Sequence, residues 1–307
     1  MDGDNRMRIA FIGFGEAARA FVSSLRGQGE LAFTAYDVLL GGPTHENFAT
    51  AADRLDVKLA GDAPSAVRGA GWVFSAVTAA SSLEAAQSAL EALAPGTIFL
   101  DINSVSAGRK LATAKLVEER GAYYVDMAVM APVHPRGHKT PVLTAGRIER
   151  PVLERLTALG FDFEHVGEEI GTAATIKMVR SMFVKGMEAV TVQALLAARE
   201  AGCFDRVYTS LEKSFPNFGW PAFGRYQLER VATHGVRRAA EMRESAATMR
   251  ELGFAAGGEL GDAIAALQDE IGHLGIALSG EGDLGDALDA VLDGRGRLAG
   301  GRTAKAG

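Results

Sequence analysis

Two stretches of the chain place residues in arrangements that chemistry can use. The first is Gly13-Phe14-Gly15-Glu16-Ala17-Ala18, a G-x-G-x-x-A run between apolar RIAFI and an alanine-rich segment. In such a run the first glycine permits a tight turn and the second lets the backbone approach a pyrophosphate. A small third residue lets helix and strand pack closely. The helix N-terminus then turns its unpaired N–H groups and positive dipole end toward the phosphates. Asp37 closes the next apolar run, LAFTAYD, where a carboxylate can accept hydrogen bonds from adenine-ribose hydroxyls. Its charge repels a 2′-phosphate, and VLLGGPT beyond it holds no lysine or arginine. NAD is therefore the expected cofactor, with NADP as the alternative. Its expected contacts are Gly13, Phe14, Gly15, Glu16, Ala17 and Asp37, with Val77 and Thr78 where the fourth apolar run ends.

The second stretch is GTAATIKMVRSMFVKGMEAV, residues 171–190, which is apolar enough to bury most of itself yet carries Lys177, Arg180 and Lys185. On a helix, Arg180 and Ser181 stand at i+3 and i+4 from Lys177, with Val184, Glu188 and Thr191 on the same stripe. Met178, Val179, Met182, Phe183, Gly186 and Met187 fall on the other side. An amine held away from water and near other cations binds its proton less tightly and can accept one near neutrality. Taken alone, the same spacing also describes an amphipathic helix whose polar stripe meets solvent. Lys185 sits at the edge of the stripe and reads as structural.

The elements that must position these residues follow from the apolar pattern. Strands are expected at 8–13, 31–37, 57–60, 72–77, 97–102, 123–129, 141–146 and 161–166. Helical segments EAARAFVSSLRG, APSAVRGA, SLEAAQSALEAL and SAGRKLATAKLVEERG lie between them, which argues for a parallel sheet covered on both faces. Beyond Val166 the strand signal ends. One long helix is expected over 171–202, with Thr172 as N-cap and Gly202 just past its end. SFPNFGWPAFG (214–224) reads as a packed loop, and helices are expected at 226–252, 258–272 and 284–292. The expected organisation is a dinucleotide-binding domain over 1–166, a helical domain over 167–293 and a disordered tail over 294–307.

Composition narrows the function classes. The 307 residues are 48% hydrophobic and 23% charged, with a formal net charge of −6, so there is no basic field for nucleic acid or an anionic membrane. No apolar run approaches the length of a membrane span. The single cysteine, Cys203, excludes an internal disulfide and a thiolate metal cluster, and the acidic start MDGDNRMRIAF has no signal-peptide core. A soluble cytoplasmic protein with a small-molecule substrate is expected. His134 and His138 stand four apart in APVHPRGHKTP, but prolines and a glycine forbid a helix there, so they read as loop residues and no metal is expected.

In order and spacing, several stretches together resemble the β-hydroxyacid dehydrogenases, which include hydroxyisobutyrate, tartronate-semialdehyde and phosphogluconate dehydrogenases. These are GFGEAA, LDINSVSAG (100–108), VDMAVMAP (125–132) and GTAATIKMVRS (171–181). The chain looks closest to a branch whose helical half is a domain of unknown function, on THGVRRAAEM (233–242). The resemblance implies a Rossmann-like α/β domain followed by an all-α domain, with an active site beside the long helix. It also implies a homodimer. Lys177 takes the place of the family's catalytic lysine, which would accept the hydroxyl proton while hydride leaves for nicotinamide.

Two departures at the substrate end keep the substrate open. Arg180 stands where many relatives have asparagine, and its guanidinium can fork onto a carboxylate. Met130-Ala131-Pro132 replaces a Ser-Gly-Gly that holds the substrate carboxylate. Asn103 and Ser104 remain as neutral groups for a hydroxyl or carboxyl, and Met130, Arg180, Ser181 and His234 complete the expected substrate contacts. His234 shares a helical face with Arg237, Arg238 and Glu241, ordinarily a solvated charge cluster and alternatively a lining of the site. The expected function is an NAD(P)-dependent oxidoreductase for a 3-hydroxy acid or related alcohol. Decarboxylating dehydrogenase and imine reductase are the enzyme alternatives, and a dinucleotide-binding regulatory protein the non-enzyme one.

Overall fold

The computed structural model describes residues 6–278 and 282–303. It divides into two compact units, Met1–Met178 and Val179–Gly307. The composition shift places the boundary near Val166, whereas this division falls inside a helix.

The first unit is an eight-stranded sheet in the order β3-β2-β1-β4-β5-β6-β7-β8. Its strands are β1 Met7–Ile12, β2 Leu31–Tyr36, β3 Val57–Leu59, β4 Trp72–Ser75, β5 Ile98–Asp101, β6 Tyr123–Val129, β7 Val142–Ala145 and β8 Phe163–Gly167. Six helices lie between them, α1 Glu16–Leu25, α2 His45–Leu55, α3 Ala63–Val67, α4 Ser82–Ala89, α5 Ala107–Glu118 and α6 Arg150–Ala158. Alternate side chains along a strand feed opposite faces. Ile9, Phe11, Trp72, Phe74 and Leu100 enter one core, while Ala10, Ile12, Val73 and Phe99 enter a second on the other face. Two-sided burial is why these runs are apolar throughout rather than alternating. The wholly parallel sheet expected from the sequence is corrected at one place, because β7 runs antiparallel to β6. The segment between them forms no helix longer than the 3₁₀ turn Gly137–Lys139, so the chain doubles back instead of crossing over.

The second unit is helical. The long helix α7, Thr172–Glu200, leads into it, followed by α8 Phe204–Ser214, α9 Ala222–Glu251, α10 Ala255–Gly272 and α11 Leu284–Thr303. Leu195, Leu196, Leu228, Val231, Ile271, Leu288 and Val291 form its core. Helices α9 and α10 meet backbone to backbone. A Cβ on Gly235 would stand 2.3 Å from the Gln268 carbonyl oxygen, and one on Gly272 would stand 2.5 Å from the Val236 nitrogen. The tail expected to be disordered from residue 294 is instead helical to Thr303. Leu288 and Val291 bury the preceding turns, and Arg295 donates to Glu270 at 2.8 Å. Residues 304–307 of that tail lie outside the described residues. The two tryptophans fall one in each unit. Trp72 is buried in the sheet, and Trp220 packs with Tyr208, Phe218 and Phe223.

Candidate active site

The strand order reverses between β1 and β4, which is where an open α/β sheet leaves a crevice beyond its carboxyl ends. The glycine run lies at the end of β1. Gly13 has φ +89°, and a Cβ there would stand 2.3 Å from the Ala76 carbonyl oxygen, so the fold itself demands glycine. Gly15 differs. Its φ is −81°, no atom lies within 4 Å of the place a Cβ would take, and no side chain caps the helix it begins. Neither backbone strain nor packing explains this glycine. Glu16 and Ala17 follow in the first turn, Glu16 exposed and Ala17 half-buried.

Phe14 between the glycines is fixed on both sides of its backbone. Its N–H donates to Asp37 Oδ2 at 2.8 Å, and its carbonyl accepts from Arg19 Nε at 2.8 Å. The Arg19 guanidinium lies 5.2 Å from the Phe14 ring centre and 4.8 Å from that of Phe48. Burial pushes the Arg19 pKa down, with the Asp37 charge opposing. Asp37 Oδ1 also accepts from the Leu39 N–H at 3.0 Å. The carboxylate thus serves the loop before any ligand is considered.

The next strand ends, β4 and β5, are tied by Asn103. Its Oδ1 accepts the Val77 N–H at 2.7 Å and its Nδ2 donates to Ser75 Oγ at 2.8 Å. Both ends of this buried amide are used within the protein, so the geometry makes Asn103 a holder of the 75–77 turn. Thr78 donates to Ser81 Oγ at 3.2 Å. Beside Asn103, Ser104 Oγ accepts a hydrogen bond from Lys177 Nζ at 2.5 Å. Within this unit the structure therefore brings together Ser104 and Lys177, two residues that the sequence named separately. Met130 packs near Ala128, Ala145 and Ala173 at the start of α7.

Beneath this pair lies a buried charge cluster that the sequence reading did not single out. Lys110 Nζ donates to the Asp101 carbonyl at 2.6 Å and stands 3.2 Å from Asp101 Oδ1 and 3.4 Å from Asp126 Oδ1, with all three side chains at most 1% exposed. Asp101 Oδ1 accepts the Asn103 N–H at 2.9 Å, and its Oδ2 accepts the Tyr124 hydroxyl at 2.6 Å. Burial, then the Asp101 charge, pushes the Tyr124 pKa well up, so it stays a donor. Asp126 Oδ2 accepts the Gly171 and Ala174 N–H groups at 3.0 and 3.1 Å. The cap of α7 is thus a distant carboxylate at the positive helix end rather than the expected Thr172. The signal that could have found these residues is a lone aspartate inside an apolar strand, IFLD and YYVD, since a buried charge requires a partner.

The remaining expected residues lie in the second unit. Arg180 is exposed, Ser181 is buried and His234 is half-buried on α9. The solvated cluster expected around His234 is corrected in part. Arg238 is 6% exposed and donates to buried Glu188, which Gln268 also approaches at 3.4 Å. Lys185 donates to Glu241 at 2.8 Å, and burial pushes its pKa down against the opposing Glu241 charge. These charges pair helix α7 with α9 instead of facing water. His138 is wholly buried and bonded to Ser24 Oγ and the Leu159 carbonyl, and among the described residues no group of three or more side chains could hold a metal ion.

Known proteins share this organisation. Residues 8–104 match a family described as NADP oxidoreductase, coenzyme F420-dependent, and residues 198–271 match a domain of unknown function, DUF1932. The crystal structure of a conserved hypothetical protein from Sinorhizobium meliloti is 33% identical, with 95% of this chain and 98% of that one covered and a TM-score of 0.68. A 2-(hydroxymethyl)glutarate dehydrogenase of Eubacterium barkeri is 26% identical over 217 residues, 65% of this chain and 66% of that enzyme. In fold the chain is similar to a Mycobacterium tuberculosis 3-hydroxyisobutyrate dehydrogenase at 16% identity, with 93% of this chain and 99% of that one covered and a TM-score of 0.69. It is also similar to a Myxococcus stipitatus imine reductase at 19% identity, with 93% and 99% covered and a TM-score of 0.56. With its α/β unit, its helical unit and these matches, the chain belongs to the β-hydroxyacid dehydrogenase superfamily of NAD(P)-dependent oxidoreductases, in a branch whose C-terminal half carries a domain of unknown function.

Proposed function

We propose that the chain oxidises a small 3-hydroxy acid, or a related alcohol, and reduces the corresponding carbonyl, with Lys177 carrying the proton. The observation that carries this reading is the 2.5 Å hydrogen bond from Lys177 Nζ to Ser104 Oγ, at the carboxyl end of β5. An amine and a hydroxyl paired in this way would offer a substrate hydroxyl both a proton acceptor and a hydrogen-bond partner.

The cofactor side fits a nicotinamide dinucleotide. Open space at Gly15, with no strain to account for the glycine, is a cradle that a side chain would fill. Gly13 to Ala17 would take the pyrophosphate, Asp37 the adenine ribose, and Val77 with Thr78 the flank of the dinucleotide. When bound, the cofactor supplies the hydride acceptor or donor. The chain's own residues handle the rest. Lys177 as neutral amine accepts the hydroxyl proton and as ammonium returns it to the developing alkoxide. Ser104 orients the substrate oxygen, and Asn103 sets the 75–77 turn rather than touching substrate. On the same helix as Lys177, Arg180 is the proposed grip on a substrate carboxylate, and Met130 is a further proposed substrate contact. NAD is the preferred cofactor because Asp37 repels a 2′-phosphate.

The test is NADH and NADPH fluorescence titration, followed by a turnover screen. The panel is 3-hydroxyisobutyrate, 3-hydroxypropionate, 2-(hydroxymethyl)glutarate, benzyl alcohol and a cyclic imine, with carbon dioxide release followed in parallel. Turnover of a hydroxy acid is the expected result, and turnover of the imine alone would replace the reading with imine reduction. Tight NADH binding with no turnover across the panel would favour a dinucleotide-binding regulator.

A further inference from the structure

Two separate backbone segments meet at the Lys177–Ser104 contact. One is the turn after β5 that carries Asn103 and Ser104, and the other is the start of α7. Each is held by a different buried aspartate, since Asp101 Oδ1 accepts the Asn103 N–H and Asp126 Oδ2 accepts the Gly171 and Ala174 N–H groups. The other oxygen of Asp126, and the same oxygen of Asp101, face one ammonium, that of Lys110 on α5. The start of α7 also rests on the start of α5, where a Cβ on Gly171, at φ +97°, would meet the Ala107 Cβ at 2.8 Å.

We infer that Lys110 is a positioning residue that sets the register between Lys177 and Ser104. The inference rests on the reading of Lys177 as the proton carrier. Two carboxylates and one ammonium leave a single negative charge in a place sealed from water. The N-terminal end of α7 and the Tyr124 hydroxyl balance it. An apolar side chain could fill the same volume, and exchanging a buried ion cluster for apolar residues is often neutral or favourable for stability. What an apolar side chain could not do is hold two carboxylates at fixed distance from a common point. Without the ammonium the two carboxylates repel, and the segments they hold separate. Lys177 then loses its alignment with Ser104 although neither residue has been altered.

The test needs no substrate. The protein without cofactor is pulse-labelled with N-hydroxysuccinimidyl acetate, and the modification of Lys177 is read by mass spectrometry relative to exposed Lys115 on α5. Lys110→Met and Asp126→Asn should each raise the Lys177 to Lys115 ratio about fivefold, the change that follows from losing one hydrogen bond of ordinary strength. Asp126→Asn decides the matter if Lys110→Met does not fold. An unchanged ratio in a folded variant overturns the inference, and so does a uniform rise at every lysine, which would mean general loosening. With any substrate the wild type turns over, kcat should fall at least tenfold in Lys110→Met, while the KM for NADH stays within about twofold. The double variant Lys110→Met/Lys177→Met should be no slower than Lys177→Met. Full turnover in Lys177→Met would refute the proton-carrier reading, while the labelling ratio would still report on register alone.

Discussion

Asp37 accepts the Phe14 amide hydrogen at 2.8 Å, so the carboxylate expected to meet the cofactor ribose also fixes the middle residue of the glycine loop. The two duties are separable by substitution. Asp37→Asn keeps an oxygen for the Phe14 N–H but weakens acceptance of ribose hydroxyls and removes the charge that repels a 2′-phosphate. NADH affinity should fall about tenfold, consistent with loss of one charge-assisted hydrogen bond. NADPH affinity should hold or rise. Equal losses for both cofactors, measured by fluorescence titration, would mean that Asp37 acts on the loop alone.

The two glycines should fail in different ways. A Cβ on Gly15 would stand in open space on extended backbone, so the melting temperature of Gly15→Val should stay near that of the wild type while NADH binding is lost. Gly13→Ala forces a Cβ against the Ala76 carbonyl at positive φ and should cost about 2–4 kcal/mol of stability. Retained NADH affinity in a folded Gly15→Val would rule out the pyrophosphate placement.

Lys177 and Arg180 divide chemistry from grip. Lys177→Met keeps length and helix propensity but removes the proton acceptor, so kcat should drop by about 10²–10⁴ with NADH affinity unchanged. Arg180→Lys keeps charge but loses the fork, and should raise KM for carboxylate substrates more than it lowers kcat. An unaltered KM in Arg180→Lys would point to a neutral substrate.

Acid should weaken the first unit through His138. Its ring is buried, bonded at one nitrogen to Ser24 and at the other to the Leu159 carbonyl, and burial lowers its pKa from the ordinary 6.5. The unfolded chain then binds the proton more tightly than the folded one. Stability is unaffected above pH 6.5 and falls as pH drops from that value toward the lower folded one. The loss is up to about 1.4 kcal/mol per pH unit for one proton. His138→Asn should flatten the decline in melting temperature between pH 7 and 5.5, and an undiminished slope would remove His138 as its source.

A homodimer is the expected assembly. Phe183 and Val190 stand two turns apart on α7, 71% and 68% exposed, more apolar surface than one helix should leave to water. Phe183→Asp combined with Val190→Asp should yield a monomer by light scattering at micromolar concentration. A monomeric wild type would contradict the expectation directly.

What the sequence revealed follows from how local each signal is. The central strands are readable because two-sided burial writes itself into consecutive apolar residues, as in Ile9 to Ile12. The reversed direction of β7 is not readable, because parallel and antiparallel neighbours use the same side chains. Helices α2, α6 and α8 went unrecognised. In α8 no residue is fully buried, and in α6 only Leu156 is, so their apolar stripes are short and only half covered. Lys177 and Ser104 were legible through a motif, whereas Lys110, Asp101 and Asp126 take their meaning from contacts between distant segments. Asn103 was expected to touch substrate, and only its bonds to Val77 and Ser75 show that it ties the 75–77 turn.

The placement of the tryptophans gives each unit a native fluorophore. Trp72 sits in strand β4 with its ring edge toward Phe74, and Trp220 sits among the aromatics before α9. A Trp72→Phe variant makes the emission report on the helical unit alone, and Trp220→Phe makes it report on the sheet unit alone. Melting followed in the two variants would therefore reveal whether the units unfold in one cooperative step or in sequence. Quenching of each emission band by added NADH would gauge how near the reduced nicotinamide comes to each ring through resonance energy transfer.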